Sequence, residues 1–147
     1  MDRKLLHELI EDYTSAMNEV NRRISAIMND RVHEELTGDQ FLTMRYIQKN
    51  EPCTSSDIAN EFGIVKSAVT AQVNRLYEKG LIERDRDSDD RRIVYLRLTT
   101  EGKTLMKEGT DKLYEVLGEI LSNFDKEEMT FFIWQLQKLA RILKENG

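Results

Sequence analysis

The hydrophobic period of this chain changes twice between Thr54 and Gly102, and few architectures accommodate that order of elements. Thr54-Ser55-Ser56-Asp57 has the form of a helix start, with Ile58, Ala59 and Phe62 inward on the short helix that follows. Gly63 then supplies the left-handed residue of a tight turn. Over residues 66 to 79, Val69, Val73 and Leu76 recur at i, i+4 and i+7, with Tyr77 extending the buried face and Gly80 as the stop. From there the period drops to two. Residues 81 to 86 and 92 to 98 read as strands, Val94, Leu96 and Leu98 alternating with Ile93, Tyr95 and Arg97.

A short helix, a glycine turn, a longer helix and a hairpin suit a winged helix-turn-helix, in which one helix enters a DNA groove and a hairpin reaches beside it. Ser67, Thr70, Ala71 and Asn74 line the helix face opposite its apolar one. That face is short and polar. Its hydroxyls and amide can bond base edges, and Ala71 can meet a thymine methyl; the plainer reading is a solvated helix face. Lys66 and Arg75 on the same helix complete its candidate contacts. The loop between the strands, residues 84 to 92, carries four arginines (Arg84, Arg86, Arg91, Arg92) and four aspartates. It could be a self-neutralising turn, since aspartate and serine favour turns. As a DNA contact it needs a division of labour: one carboxylate holds an arginine in shape, and other arginines stay free for phosphate or a narrow minor groove.

Long amphipathic helices flank this core, making the fold mainly α (α+β). Residues 3 to about 30 contain no glycine or proline between Leu5 and Met28, and apolar residues recur there at spacings of three and four. At 1.5 Å per residue such a helix is ~35 Å long, more than a compact domain of this size needs. Part of it is expected to pack against another subunit. Thr37-x-x-Gln40 marks the next helix start, with Phe41, Met44 and Ile47 inward and Pro52 as the stop. After Thr99-Thr100-Glu101-Gly102 comes a helix to about Ser122, striped by Leu105, Leu113, Val116, Leu117, Ile120 and Leu121. Asp125-x-x-Glu128 opens the last one, striped by Met129, Phe132, Ile133, Leu136, Leu139, Ala140 and Leu143. We expect one unit: residues 37 to 102 as the DNA-binding lobe, 1 to 36 and 103 to 147 as dimerisation helices.

The net charge is −5 over 147 residues, which taken alone argues against a nucleic-acid partner. Locally the sign reverses, because residues 64 to 98 carry eight basic and six acidic side chains. A phosphate backbone responds to the local field, and acidic flanks weaken nonspecific adhesion. No apolar run approaches the roughly 20 residues of a membrane span, and residues 1 to 13 lack the continuous apolar stretch of a signal peptide. A single cysteine builds no intrachain disulfide, so a cytoplasmic location is expected. There is no glycine-rich phosphate loop, no paired histidine–carboxylate spacing and no nucleophile motif. We therefore expect neither an enzyme nor a cofactor.

Asp87-Ser88-Asp89-Asp90-Arg91-Arg92 followed by Leu98-Thr99-Thr100-Glu101-Gly102 resembles the wing signature of the MarR family of bacterial transcription regulators. Residues 73 to 84, VNRLYEKGLIER, are similar to that family's recognition-helix ending and first wing strand, and Ser56-Asp57-Ile58-Ala59 to its preceding helix. The resemblance implies a homodimer with interlocked first and last two helices, bound to pseudo-palindromic promoter DNA, usually as a repressor. It also implies release by a small phenolic or other aromatic ligand, or by oxidation. By position, Arg92 becomes the minor-groove arginine, Asp90 its orienter and Arg91 a phosphate contact. Two positions depart from the pattern. Ser88 stands where many members have proline, which frees the wing tip. Val65 stands where a capping serine, threonine or aspartate is common, so capping through Ser67 is expected.

Tyr13, Met17, Met44 and Tyr46 are candidates for a ligand pocket between dimer helices and the DNA lobe, although their helical spacing equally suits core. Cys53 follows Pro52 at a helix entrance and reads as a packing residue rather than a redox sensor. His7 and His33 have no paired spacing and make no metal site. The rival to DNA binding is a protein-interaction module, a winged helix that has lost DNA binding and assembles with partners through its long helices; the acidic total and the aspartate-rich wing are its support.

Overall fold

The computed structural model describes residues 1–31 and 35–147; His33 lies outside the described residues. Six helices and one hairpin follow in the order α1 (Arg3–Arg31), α2 (Gly38–Lys49), α3 (Ser55–Phe62), α4 (Lys66–Glu78), β1 (Ile82–Arg86), β2 (Val94–Leu98), α5 (Thr100–Leu121) and α6 (Lys126–Asn146).

Short-range polar bonds set most boundaries. Thr37 Oγ1 accepts from Gln40 N at 3.2 Å while Gln40 Oε1 accepts from Thr37 N, a reciprocal capping box. Thr54 and Asp57 repeat it at 3.1 and 2.9 Å, and a cap of this kind is worth about 1 kcal/mol. Gly63 closes α3 at φ 64°, a left-handed conformation open to glycine without a Cβ penalty. Asp125 and Thr99 cap α6 and α5 by accepting from Glu128 N and Gly102 N.

β1 and β2 pair antiparallel, with Ile82 opposite Leu98 and Arg86 opposite Val94. A single bridge from Cys53 to Leu96 adds a third stub, and Glu51 Oε1 accepts from Leu98 N at 2.7 Å. The core lies between α2, α3, α4, the sheet and the start of α5, around Met44, Ile47, Ile58, Val69, Leu76, Ile82, Leu96 and Met106. Thr43 donates to Gln72 Oε1 at 2.7 Å, tying α2 to α4 beside that core. Met106, Leu36 and Thr43 are buried although no stripe read from the sequence contained them.

Neither α1 nor α6 has a buried residue. Leu5, Leu6, Leu9, Ile10 and Tyr13 on α1, and Phe132, Ile133, Leu136 and Leu143 on α6, are all exposed in the single chain. Exposed apolar stripes along whole helices commonly mark protein–protein contact surfaces.

Candidate nucleic-acid interface

α4 stands at the edge of the lobe with Val69, Val73 and Leu76 turned inward and Lys66, Ser67, Thr70, Ala71, Asn74 and Arg75 exposed. Its start departs from expectation. Val65 is the N-cap, in extended conformation, and no side chain bonds to the first turn. Ser67 therefore does not cap. A capping side chain must come from the extended residue before the first turn, and Ser67 is already the second helical residue. Its hydroxyl stays with the exposed face. Thr70 Oγ1 donates to Lys66 O at 3.0 Å, which leaves its oxygen outward as an acceptor.

Tyr77 also departs from expectation. It is 49% exposed rather than part of the buried face, and the Arg84 guanidinium lies over its ring, 4.3 Å from the centroid. Arg84 Nη2 donates to Asn74 Oδ1, so this wing arginine is joined to the helix across two elements. Nothing in the local sequence signals that pairing, since it depends on how the strand leaves the helix.

The wing resolves the roles of its carboxylates. Asp87 Oδ1 accepts from the backbone N of Asp89 at 2.8 Å and of Asp90 at 3.1 Å. Those two bonds, with help from the Tyr95 hydroxyl, hold the Asp87 carboxyl below its usual range. Asp90 grips Arg92 three times: Oδ1 accepts from Nε and from the backbone N, at 3.0 and 3.1 Å, and Oδ2 accepts from Nη2 at 3.0 Å. The Arg92 side chain bonds lower the Asp90 pKa, and the same pair raises that of Arg92. Although so held, the Arg92 side chain is 91% exposed. Arg86 Nη1 donates to Arg91 O at 2.9 Å, bracing the turn from its other limb. The Arg91 side chain is exposed. Two aspartates thus shape the loop, leaving Asp85 and Asp89 exposed.

Cys53 is 2% exposed and its thiol is pushed up to about 11, first by burial and then by the charges of Asp57 and Glu51. No group of three or more metal-ligating side chains occurs among the described residues.

Of the four expected pocket residues, Tyr13 and Met17 lie on α1, Met44 and Tyr46 on α2. Tyr13 is exposed on α1, Met17 is half-buried, Met44 is sealed in the core, and Tyr46 packs edge-on against Phe62 at 5.8 Å. A cleft of about 850 Å³, lined by none of these four, lies between α1, α2 and α5 against Ile24, Met28, Phe41, Leu42 and Leu113, with Arg45 contributing a cation. Three elements distant in sequence build it, so no spacing pattern could have revealed it.

The sequence model of the MarR family matches residues 36–94. The HTH-type transcriptional regulator FarR of Neisseria gonorrhoeae is 33% identical over 110 residues, covering 73% of each chain. The HTH-type transcriptional repressor MdtR of Bacillus subtilis is 28% identical over 94% of this chain and 90% of its own. Among solved structures, Streptococcus pneumoniae FabT in complex with DNA superposes with a TM-score of 0.78 at 25% identity, covering 97% of this chain and 99% of that one.

Proposed function

This chain belongs to the MarR family of transcription regulators, and on that premise we propose that it is a homodimeric, sequence-specific reader of pseudo-palindromic double-stranded DNA, acting as a repressor. FarR and MdtR are named as regulators of transcription and FabT was solved on DNA; we extend those properties to this chain. The observation that carries the proposal is the wing tip, where Asp90 holds Arg92 in a fork while leaving its side chain in solvent. A surface arginine ordinarily loses rotamer freedom on docking; this one is already ordered for a narrow, electronegative minor groove.

Residues 37 to 102 form the DNA lobe of the proposal. α4 enters the major groove with Ser67, Thr70, Ala71 and Asn74 toward the bases, Lys66 and Arg75 toward phosphate, and Arg86 and Arg91 beside the wing. Residues 1 to 36 and 103 to 147 supply the dimer, which covers the exposed stripes of α1 and α6. A twofold dimer imposes its symmetry on the site, with half-sites about one helical turn (~10 bp) apart. The relatives are regulators rather than enzymes, and we assign no reaction, no cofactor and a cytoplasmic site of action. No helix of the described residues is long and apolar enough to cross a membrane. The cleft under Arg45 is our candidate seat for a small phenolic or other aromatic effector.

The protein-interaction alternative has no comparable support, since an interaction module needs no forked arginine at its wing. The test is binding to the DNA upstream of the chain's own gene, with size-exclusion light scattering for the dimer. Affinity that falls steeply with salt and prefers one palindrome supports the reading. A monomer, or binding without sequence preference, overturns it.

A further inference from the structure

Arg84 and Asn74 each have the chemistry of an independent DNA contact, yet they bond to one another. The guanidinium of Arg84 rests on the Tyr77 ring and donates to the Asn74 side chain. Guanidinium has donors only, so the amide atom facing it must be the carbonyl oxygen. The two N–H donors of Asn74 consequently point away from Arg84. Asn74 stands four residues after Thr70 and seven after Ser67, on the exposed face of α4.

We propose that Arg84 is a positioning residue that sets base specificity through Asn74: it occupies the carbonyl, so that the amide meets the groove as a donor. A free asparagine amide prefers adenine, because it can accept from N6 and donate to N7 at once. The oxygen keeps a second lone pair, but with the carbonyl turned toward Arg84 it is the orientation of the amide that withholds the accepting half of that pair from the groove. Asn74 becomes a reader of acceptor edges, guanine O6 and N7 or thymine O4. Tyr77 contributes by fixing the plane of the guanidinium, an attraction between cation and ring that also keeps the charge on the protein. On this assignment Arg84 neutralises no phosphate, which separates it from Arg91 and from Lys66. The inference rests on α4 being the groove reader, as proposed above.

The experiment selects duplexes from a randomised DNA library with the wild-type full chain, Asn74→Ala and Arg84→Met, then measures affinity against salt on the duplex the wild type selects. Methionine keeps an apolar stem on Tyr77 and removes every donor. Asn74→Ala is expected to lose preference at one symmetry-related pair of positions, which identifies the base that Asn74 meets. At that same pair Arg84→Met is expected to turn toward adenine, discrimination changing about tenfold. Its slope of log affinity against log salt should match the wild type. The inference is overturned if Arg84→Met keeps the wild-type preference while its slope shrinks by ~0.9, the mark of a lost phosphate contact. Unchanged preference in Asn74→Ala overturns it too. Failure of the wild type to enrich any sequence is a different result: it defeats groove reading by α4, the premise itself.

Discussion

Gly102→Ala sets two well-known effects against each other with opposite signs. Gly102 lies in the first turn of α5, where exchanging glycine for alanine gains ~1 kcal/mol of helix propensity. In this fold the added Cβ would sit 2.1 Å from the carbonyl oxygen of Leu81 and 3.1 Å from its carbonyl carbon. Both are backbone atoms, and they have little room to move. Leu81 O accepts from Thr99 N at 3.1 Å, and Leu81 N donates to Leu76 O at 3.0 Å. Thr99 Oγ1 in turn donates to Gly80 O at 2.7 Å and accepts from Gly102 N at 3.0 Å. Relieving the clash means moving α5 by about 1 Å and weakening that set of bonds. Overpacking of this kind costs ~1–3 kcal/mol, and a lost hydrogen bond adds ~1 kcal/mol. Against the propensity gain, the net loss is about 2 kcal/mol, or roughly 4–8 °C in the unfolding midpoint of a chain this long. The assay is thermal unfolding by circular dichroism at fixed protein concentration, since a dimer's midpoint depends on concentration. Gly109→Ala is the graded companion. Its Cβ would meet Phe41 Cε2 at 2.8 Å, but a ring edge can swing aside, so the drop should be smaller. A midpoint for Gly102→Ala equal to or above the wild type refutes the reasoning, because propensity would then outweigh the approach of α5 to Leu81.

Arg92→Ala should lower affinity for the selected palindrome by roughly tenfold or more and erase its preference for A·T-rich flanks; competition binding with flanks of both kinds reads this, and retained flank preference removes Arg92 from the minor groove. Thr70→Val keeps the shape and deletes the outward acceptor, so base preference at one position should shift while the salt dependence stays the same; a repeated library selection checks it. The wing should resist acid, since the carboxyls of Asp87 and Asp90 are both depressed in the folded chain. Their bonds are complete above the ordinary carboxylate value of ~3.9 and are lost only as pH falls through the depressed folded values. The Arg92 Nε–H resonance, followed by NMR, should therefore hold its position at pH 4 and move below it; movement centred at or above pH 4 contradicts the assignment. Cys53, with its thiol at about 11, should react with a thiol reagent only on unfolding, and peroxide should leave DNA affinity unchanged. Rapid labelling of the native protein would show that its burial is not maintained.

The local grammar of the chain was legible in advance. Capping boxes at Thr37 and Thr54, the left-handed Gly63 and the alternation of β2 each depend on residues within four positions of one another. Any helix or hairpin built from those residues must satisfy them. The surplus of apolar surface on α1 and α6 was legible for the same reason: periodicity shows which face is apolar. Whether that face finds cover within the chain depends on where the helices lie, and here they lie outside the core.

The sequence by itself determined the order and kind of the elements, though not the cap of α4 or the first residue of β2, and that the wing would hold four arginines and four aspartates. Beyond the Asp90–Arg92 pair, which the family resemblance had already implied, only the tertiary structure decided which of those charges are engaged. Asp87 and Asp90 turn inward on the loop, and Arg86 braces it. The Arg84 side chain reaches back from β1 to α4, where it holds Asn74 and covers Tyr77. It likewise sealed Met44 and Met106 into the core and opened a cleft under Arg45 that no spacing of Tyr13, Met17, Met44 and Tyr46 foretold. The reason is the range of the forces involved. A backbone cap is satisfied by a neighbour three residues away, and sequence order supplies that neighbour. A guanidinium, an amide or a cavity wall is satisfied by whatever the packing of other elements brings within a few ångströms.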